Sequence, residues 1–246
     1  MAPSSSNGPQ HNRADDGRPQ RPMIDGYAFV ELVATGDADT GTRPVPVTVW
    51  HVAEADHTAP TGEAEDGGRF DTVLAGMIVA SYARPRGTIV TLGHDPALAG
   101  AAGAYGCDYR TVTTPADLAG LDHVAGQITL VVLPWPPNQD RQIELDALRD
   151  MFAACRALLA RDGVTCVALT TNPARDGYDQ HASALISAAG DSGLELIRHI
   201  LAVTEPVTGP HGHLRLAPTA QVSLVDRLQL HIRKHVLLFV IGGDRG

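Results

Sequence analysis

Apolar positions along the chain repeat with two different periods, and these periods predict a series of strands and helices. The continuous apolar run over residues 127–133 is typical of a central parallel strand buried on both faces. Apolar residues over 141–160 recur at helical spacing and form a single stripe. Shorter β-rich runs predict further strands over residues 44–52, 88–92, 108–113, 164–170, 194–203 and 230–241. Helical spacing and cap residues predict further helices over 70–83 and 178–192, and after Asp95 and Thr114.

The order of these elements indicates the fold class. Strands and helices alternate from residue 88 to residue 203, and the last two strands follow each other without a clear long helix between them. Repeated strand–helix units favour a mostly parallel sheet with helices on both faces. We therefore predict one α/β domain over residues 44–244, with the strand over 44–52 as an edge strand or extended arm. The helix over 141–160 is expected to close at Asp162-Gly163.

The first 43 residues differ in composition from the rest. They are rich in Ser, Pro, Gly, Asp and Arg and contain few apolar residues. Such a segment buries too little apolar surface to offset the entropy lost on ordering. We predict a disordered N-terminal tail over residues 1–43, and an inert leader is favoured over a binding tail.

Charge, cysteine spacing and hydropathy indicate which partners and which cell compartment to expect. The 246 residues carry a formal net charge of −9, which is a poor electrostatic match for nucleic acid but leaves room for a local basic cleft. The three cysteines show no CxxC spacing, so we interpret them as reduced, buried thiols of a cytoplasmic protein. No signal-peptide pattern and no apolar run of membrane-spanning length occurs, and we expect no membrane association.

The segment over residues 87–108 is the first candidate for ligand binding. A short strand ends at Gly93-His94, and a helix of small residues follows. Open α/β sheets bind nucleotide-like ligands at such strand–turn–helix junctions. Asp95-Pro96 is also the pattern of a helix N-cap followed by proline at the first helical position. A ligand loop and a simple helix cap both remain open for these residues.

Several stretches together resemble one family. They are residues 82–87 (YARPRG), 152–163 (FAACRALLARDG), 188–194 and 235–239 (HVLLF). In this order and spacing, the chain over about residues 47–241 resembles the S-adenosylmethionine-dependent DNA methylases that modify exocyclic amino groups of adenine or cytosine. The resemblance implies a Rossmann-like methyltransferase fold with a C-terminal antiparallel strand, S-adenosylmethionine as cofactor and nucleic acid as a possible partner.

The resemblance also implies which residues would bind the cofactor. Gly93, His94 and Asp95 stand where the family has its glycine-rich turn, and Thr113 stands where an acidic residue binds the ribose hydroxyls. Val90 lies near the position of the family's strand-ending aspartate. The nearest acid to Thr113 is Asp117, which lies four residues later in a predicted helix. The cofactor-binding set implied here is therefore Gly93, His94, Asp95 and Thr113.

The catalytic loop of the family is matched by residues 133–137 (LPWPP). The resemblance implies that Pro134 and Trp135 are the catalytic residues, with Trp135 stacking on a flipped base. Leu133 replaces the family's polar residue and cannot accept a hydrogen bond from an amino group. A second interpretation is a rigid strand-to-helix turn whose tryptophan covers the core.

These departures predict a methyltransferase-like protein with weakened or lost catalysis. One alternative is a non-catalytic binding or regulatory protein that keeps only the fold. Another is a binder of a different nucleotide, although no GxGxxG occurs over residues 93–106. We predict no metal site. His231 and His235 would stand far apart on a strand, and two loop histidines, His211 and His213, are weak evidence for metal binding.

Overall fold

A computed structural model describes residues 29–33, 45–52, 70–135, 145–169, 178–203 and 232–243. Eight strands form one sheet: β1 (Phe29–Val33), β2 (Pro46–His51), β3 (Thr88–Leu92), β4 (Asp108–Val112), β5 (Ile128–Trp135), β6 (Leu159–Leu169), β7 (Leu194–Val203) and β8 (Ile232–Ile241). The helices are α1 (Thr72–Tyr82), α2 (Pro96–Ala104), α3 (Leu145–Leu158), α4 (Tyr178–Asp191) and a 3-10 helix over Pro115–Val124. None of the helices within the described ranges is long and apolar enough to cross a membrane.

The strand order confirms the predicted fold class. Across the sheet the order is β1-β2-β7-β8-β6-β5-β3-β4. Strands β2 to β7 run parallel to one another, whereas β8 runs antiparallel to both β6 and β7. The C-terminal strand thus lies between two parallel strands in the opposite direction. This is the α/β, Rossmann-like fold of the methyltransferase type, with its C-terminal antiparallel strand.

The core consists of two apolar layers, one on each face of the sheet. Leu74 and Ile78 of α1 and Leu98 of α2 are fully buried on one face. Phe152 of α3, Leu185 of α4 and Leu118 of the 3-10 helix are fully buried on the other. The apolar stripe of α3 therefore faces the sheet, as its spacing predicts. The prediction of helices on both faces is confirmed.

The N-terminal part of the sheet departs from the predictions. Residues Phe29–Val33 form β1, which pairs antiparallel with β2. The prediction of disorder is wrong for these five residues. Their alternating apolar side chains were outweighed by the polar composition of residues 1–43 taken as a whole. The rest of 1–43 lies outside the described residues. Strand β2 is also not an edge strand, since β1 and β7 flank it.

Two boundaries in the middle of the chain differ as well. Helix α3 ends at Leu158, and β6 begins at Leu159 rather than after Asp162-Gly163. Gly163 lies inside β6, where an added Cβ would come within 2.7 Å of the Ile128 carbonyl oxygen. The pairing between β5 and β6 shifts register at this point. Gly163 thus permits a close strand approach instead of closing a helix.

Candidate functional site

The carboxyl ends of the parallel strands form the candidate site. Strand β3 lies between β4 and β5, so the chain leaves β3 toward one side of the sheet and reaches β5 on the other. Such a reversal of strand order opens a crevice at the carboxyl edge, where open α/β sheets bind their ligands. Gly93 and His94 follow β3, Thr113 follows β4, and Pro134 and Trp135 end β5. The fold thus brings all of the predicted site residues to one edge of the sheet.

The turn after β3 is narrow and exposed. Gly93 has φ +81°, a conformation that favours glycine, and its amide donates to the Val112 carbonyl oxygen at 2.7 Å. Apart from its two chain neighbours, none of the described residues has an atom within 4 Å of where a Cβ would stand. The exposed His94 ring contacts the Tyr109 ring edge-on, with 6.2 Å between centroids. As far as the described residues show, this turn is open to a ligand.

Asp95 is used inside the turn itself. It is 3% exposed, and its two carboxylate oxygens accept from the amides of Leu98 at 3.0 Å and Phe70 at 2.8 Å. The first bond is the predicted cap of α2, with Pro96 beside it. The Tyr109 hydroxyl accepts from the Asp95 amide at 3.1 Å and donates to its carbonyl oxygen at 3.2 Å. Asp95 therefore joins the start of α1, the start of α2 and β4.

The end of β4 carries an acid that the sequence places in a helix. The Asp117 carboxylate accepts from the amides of Thr113 at 3.1 Å and Thr114 at 2.8 Å. It thereby folds back to the residue that directly follows β4. The bond from the Thr114 amide holds the pKa of this exposed carboxyl below its usual value. Asp117 is the third residue of the 3-10 helix, and its bond to the Thr114 amide is half of the capping box that the Thr114–Asp117 spacing predicts. The same cap holds the carboxylate beside Thr113.

The end of β5 differs from the loop that the sequence predicts. Pro134 and Trp135 are the last two residues of the strand, paired with Ala168 and Leu169 of β6. Pairing with β3 ends at Val132, so a proline without an N–H group is accommodated beyond it. The half-buried Trp135 packs against the core on the α3 and α4 face. Its indole Nε1–H donates to Nδ1 of His181 at 3.4 Å.

His181 is a site residue that the sequence analysis missed. It lies in the first turn of α4 and is 46 positions away from Trp135. No local motif marks it, and only the topology brings the start of α4 to the end of β5. The indole N–H is a donor only, so Nδ1 of His181 accepts and the neutral ring carries its proton on Nε2.

Two further histidines contact each other within the neighbouring strands β7 and β8. Nε2 of His199 on β7 lies 3.1 Å from Nδ1 of His235 on β8. Burial lowers the pKa of His199 to about 4, and burial together with the neighbouring His199 lowers that of His235 to about 3. Both rings are therefore neutral at pH 7. Within the described residues no group of three or more possible metal ligands occurs, and His211, His213 and His231 lie outside them.

The aspartate and glycine positions allow a test of the implied cofactor. Binding of a ribose requires hydrogen-bond acceptors for its hydroxyl groups. At the end of β4 the Asp117 carboxylate offers Oδ1, because both backbone N–H groups of Thr113 and Thr114 donate to Oδ2. Close approach of a ligand to a turn requires free space at the backbone, and Gly93 provides it. These two positions fit S-adenosylmethionine. Asp95 does not face such a ligand with a free oxygen, because both of its oxygens already accept backbone N–H groups.

Comparison with known proteins gives structural neighbours only. No protein-family model matches the chain, and no curated protein matches it. The CcbJ methyltransferase from Streptomyces caelestis is similar over 74% of this chain and 97% of its own, with 14% identity and a TM-score of 0.43. The geranyl diphosphate C-methyltransferase from Streptomyces coelicolor A3(2) is similar over 68% and 79%, with 13% identity and a TM-score of 0.41. The antibiotic-resistance methyltransferase Kmr is similar over 70% and 81%, with 18% identity and a TM-score of 0.34.

At these identities and scores the neighbours add no argument to the one from topology. The methyltransferase type of the fold rests on the strand order of this chain, with β8 antiparallel between β6 and β7. The DNA amino-methylase branch indicated by the sequence motifs stays a prediction.

Proposed function

We propose that this chain binds S-adenosylmethionine across the carboxyl ends of β3 and β4 and is a methyltransferase. The observation that carries the proposal is the Asp117 carboxylate, held beside Thr113 by two backbone N–H groups. The sequence motif lacks an acid at Thr113, and the capping-box aspartate of the next helix, which lies beside Thr113, supports the proposal in its place. The Thr113 hydroxyl is a further candidate contact for the ribose. Gly93 and His94 line the approach from β3.

In this proposal the protein positions two molecules against each other. When bound, S-adenosylmethionine supplies a methyl group on a positively charged sulfur. Asp117 orients the ribose, and the turn at Gly93 allows the ligand close to the backbone. Trp135 and Pro134 form the wall on the β5 side of the crevice, where an acceptor molecule would lie. Positioning of this kind supplies much of the rate increase in a direct group transfer.

The test is calorimetric titration of the full chain with S-adenosylmethionine. We expect the wild-type protein to bind and Asp117→Ala to lose affinity about tenfold or more, as for a charge-assisted hydrogen bond of about 1.5–3 kcal/mol. Asp122→Ala is the matched control, since Asp122 is an exposed carboxylate of the same 3-10 helix, and its affinity should equal that of the wild type. Absence of heat and of a thermal shift at millimolar ligand would refute the proposal.

A non-catalytic binding protein is the second candidate. The Leu133 side chain has no polar group that could bind a methyl-acceptor molecule. Both oxygens of the Asp95 carboxylate already accept backbone N–H groups within the turn. These two features favour weakened or lost catalysis in a cleft that still binds ligands. Binding of S-adenosylmethionine without conversion to S-adenosylhomocysteine, across small and polymeric acceptors, would support it. Turnover with any acceptor would exclude it.

A DNA substrate belongs to the same proposal as its finer form. The motif match at residues 133–137 supports it, whereas the net charge of −9 opposes it. If DNA is the acceptor, binding of a duplex or single strand should weaken steeply as salt rises, because phosphate contacts release counterions. No binding at low salt would remove DNA from the candidates.

A further inference from the structure

We propose that Trp135 and His181 form the acceptor side of the cleft, with Nε2–H of His181 donating a hydrogen bond to an oxygen of a small planar molecule. The inference rests on the proposed function and deepens it, since it names the class of acceptor. It also gives His181 a defined role: a donor that orients the acceptor, and not a base that removes its proton.

The position of the pair is the first argument. Trp135 ends β5, which borders the point where the strand order reverses. His181 lies in the first turn of α4, and both side chains are only partly buried. They come from segments 46 residues apart and meet at this edge through one hydrogen bond. An indole face beside an imidazole offers both a flat apolar surface and a polar group to a ligand.

The hydrogen-bond inventory is the second argument. The indole N–H of Trp135 can only donate, so the neutral His181 ring accepts at Nδ1 and carries its proton on Nε2. The remaining polar atom of the ring is therefore a donor. A donor recognises an acceptor atom such as a phenolate, carboxylate or carbonyl oxygen. It cannot take a proton from an incoming nucleophile, so His181 does not act as a general base through Nε2.

Charge and surface favour a small molecule over a polymer. The chain has a net charge of −9, which repels a polyanion at long range. The Trp135 indole offers one aromatic face and His181 offers one N–H donor, which matches a ligand that has one aromatic ring and one oxygen acceptor. This commits the inference to a planar aromatic or heteroaromatic molecule that carries an oxygen acceptor, with nucleic acid as an outcome that the test can reveal.

The first experiment reads the tautomer directly. In protein labelled with ¹⁵N-histidine, His181, assigned by its absence from His181→Gln, should show a protonated Nε2 and an unprotonated Nδ1 at neutral pH. The Trp135→Phe variant should release this preference, because the donor to Nδ1 is gone. A His181 ring protonated on Nδ1 in the wild type would overturn the inference.

The second experiment uses 2-naphthol as the probe and naphthalene as its partner without the oxygen. In ¹⁵N-tryptophan-labelled protein, 2-naphthol should shift the Trp135 indole signal, with naphthalene at least tenfold weaker. Trp50 is an internal control, since it is buried against Tyr82 with 6.3 Å between ring centroids. Equal binding of both probes, a shift of Trp50 alone, or displacement of 2-naphthol only by oligonucleotide would overturn the inference.

Variants of His181 distinguish a role as hydrogen-bond donor from a role as general base. Gln can accept from Trp135 through its carbonyl and donate through its amide, so His181→Gln should keep 2-naphthol affinity within threefold. His181→Ala should lose about tenfold. Loss in both variants would contradict the donor role. Titration with S-adenosylmethionine should be unchanged in both; if the wild type fails to bind it while 2-naphthol binds as described, the proposed function fails and the acceptor pocket stands.

Discussion

Two groups of polar side chains, one of aspartates and one of histidines, are held in place by different chemistry. On the aspartate side (Asp71, Asp95 and Asp117), each carboxylate accepts backbone N–H groups near a helix start. On the histidine side (His181, His199 and His235), neutral rings bond to an indole or to each other. The first set uses mostly local partners, and the second joins residues 46 and 36 positions apart. Local caps follow sequence rules, whereas ring pairs depend entirely on the fold.

Acid should break the histidine side first, with the largest effect that we expect. The folded pKa values of about 4 and about 3 lie below the ordinary value of 6.5, so the unfolded chain takes up protons that the folded pair refuses. The pair's contribution is complete well above pH 6.5 and is lost as pH falls through the folded pKa values of about 4 and about 3. By pH 5 the free energy of unfolding should drop by about 4 kcal/mol, measured by urea denaturation.

The matched variant for this prediction is His235→Gln. It removes one titrating ring and keeps a polar partner for His199, so the drop between pH 7 and pH 5 should fall to about half. A wild-type free energy of unfolding that stays constant over this range would contradict the assignment of the two rings as neutral.

Asp95→Ala tests the aspartate side and should have the next largest effect. It leaves the amides of Phe70 and Leu98 without their partner in a buried site, so we expect a loss of about 2–4 kcal/mol in urea denaturation at pH 7. Asp71→Ala is the control. Asp71 caps α1 through the Leu74 amide at an exposed position, and its loss should cost about 1 kcal/mol. Equal losses in the free energy of unfolding for the two variants would contradict the prediction that burial makes the Asp95 hydrogen bonds more stabilising than the exposed cap at Asp71.

Trp135→Phe should have the smallest effect on stability. The ring keeps most of its packing and loses one long hydrogen bond to His181, so we expect about 0.5–1 kcal/mol. The comparison with Trp50→Phe sharpens the result, because Trp50 is 5% exposed and should cost more through lost packing. A larger cost at Trp135 than at Trp50 would assign Trp135 to the core rather than to the cleft wall.

Much of the local structure could be predicted from sequence. The Asp95-Pro96 start of α2 and the Thr114–Asp117 capping box are present where the residues predict them, because a cap needs only a few neighbouring residues. The strand Leu194–Val203 has the predicted bounds. The strand Phe29–Val33 was not predicted, because the composition of all 43 N-terminal residues is polar although these five are mostly apolar.

The candidate site divides in the same way. The sequence by itself determined the alternation of strands and helices, the caps, and the turn at Gly93, since these follow from local propensity and hydrophobic period. Only the tertiary structure decided that β2 is an inner strand, that Trp135 ends β5, and that His181 meets Trp135. Each of these depends on which strands become neighbours, and strand neighbourhood is fixed by burial of the whole sheet rather than by any short stretch of residues.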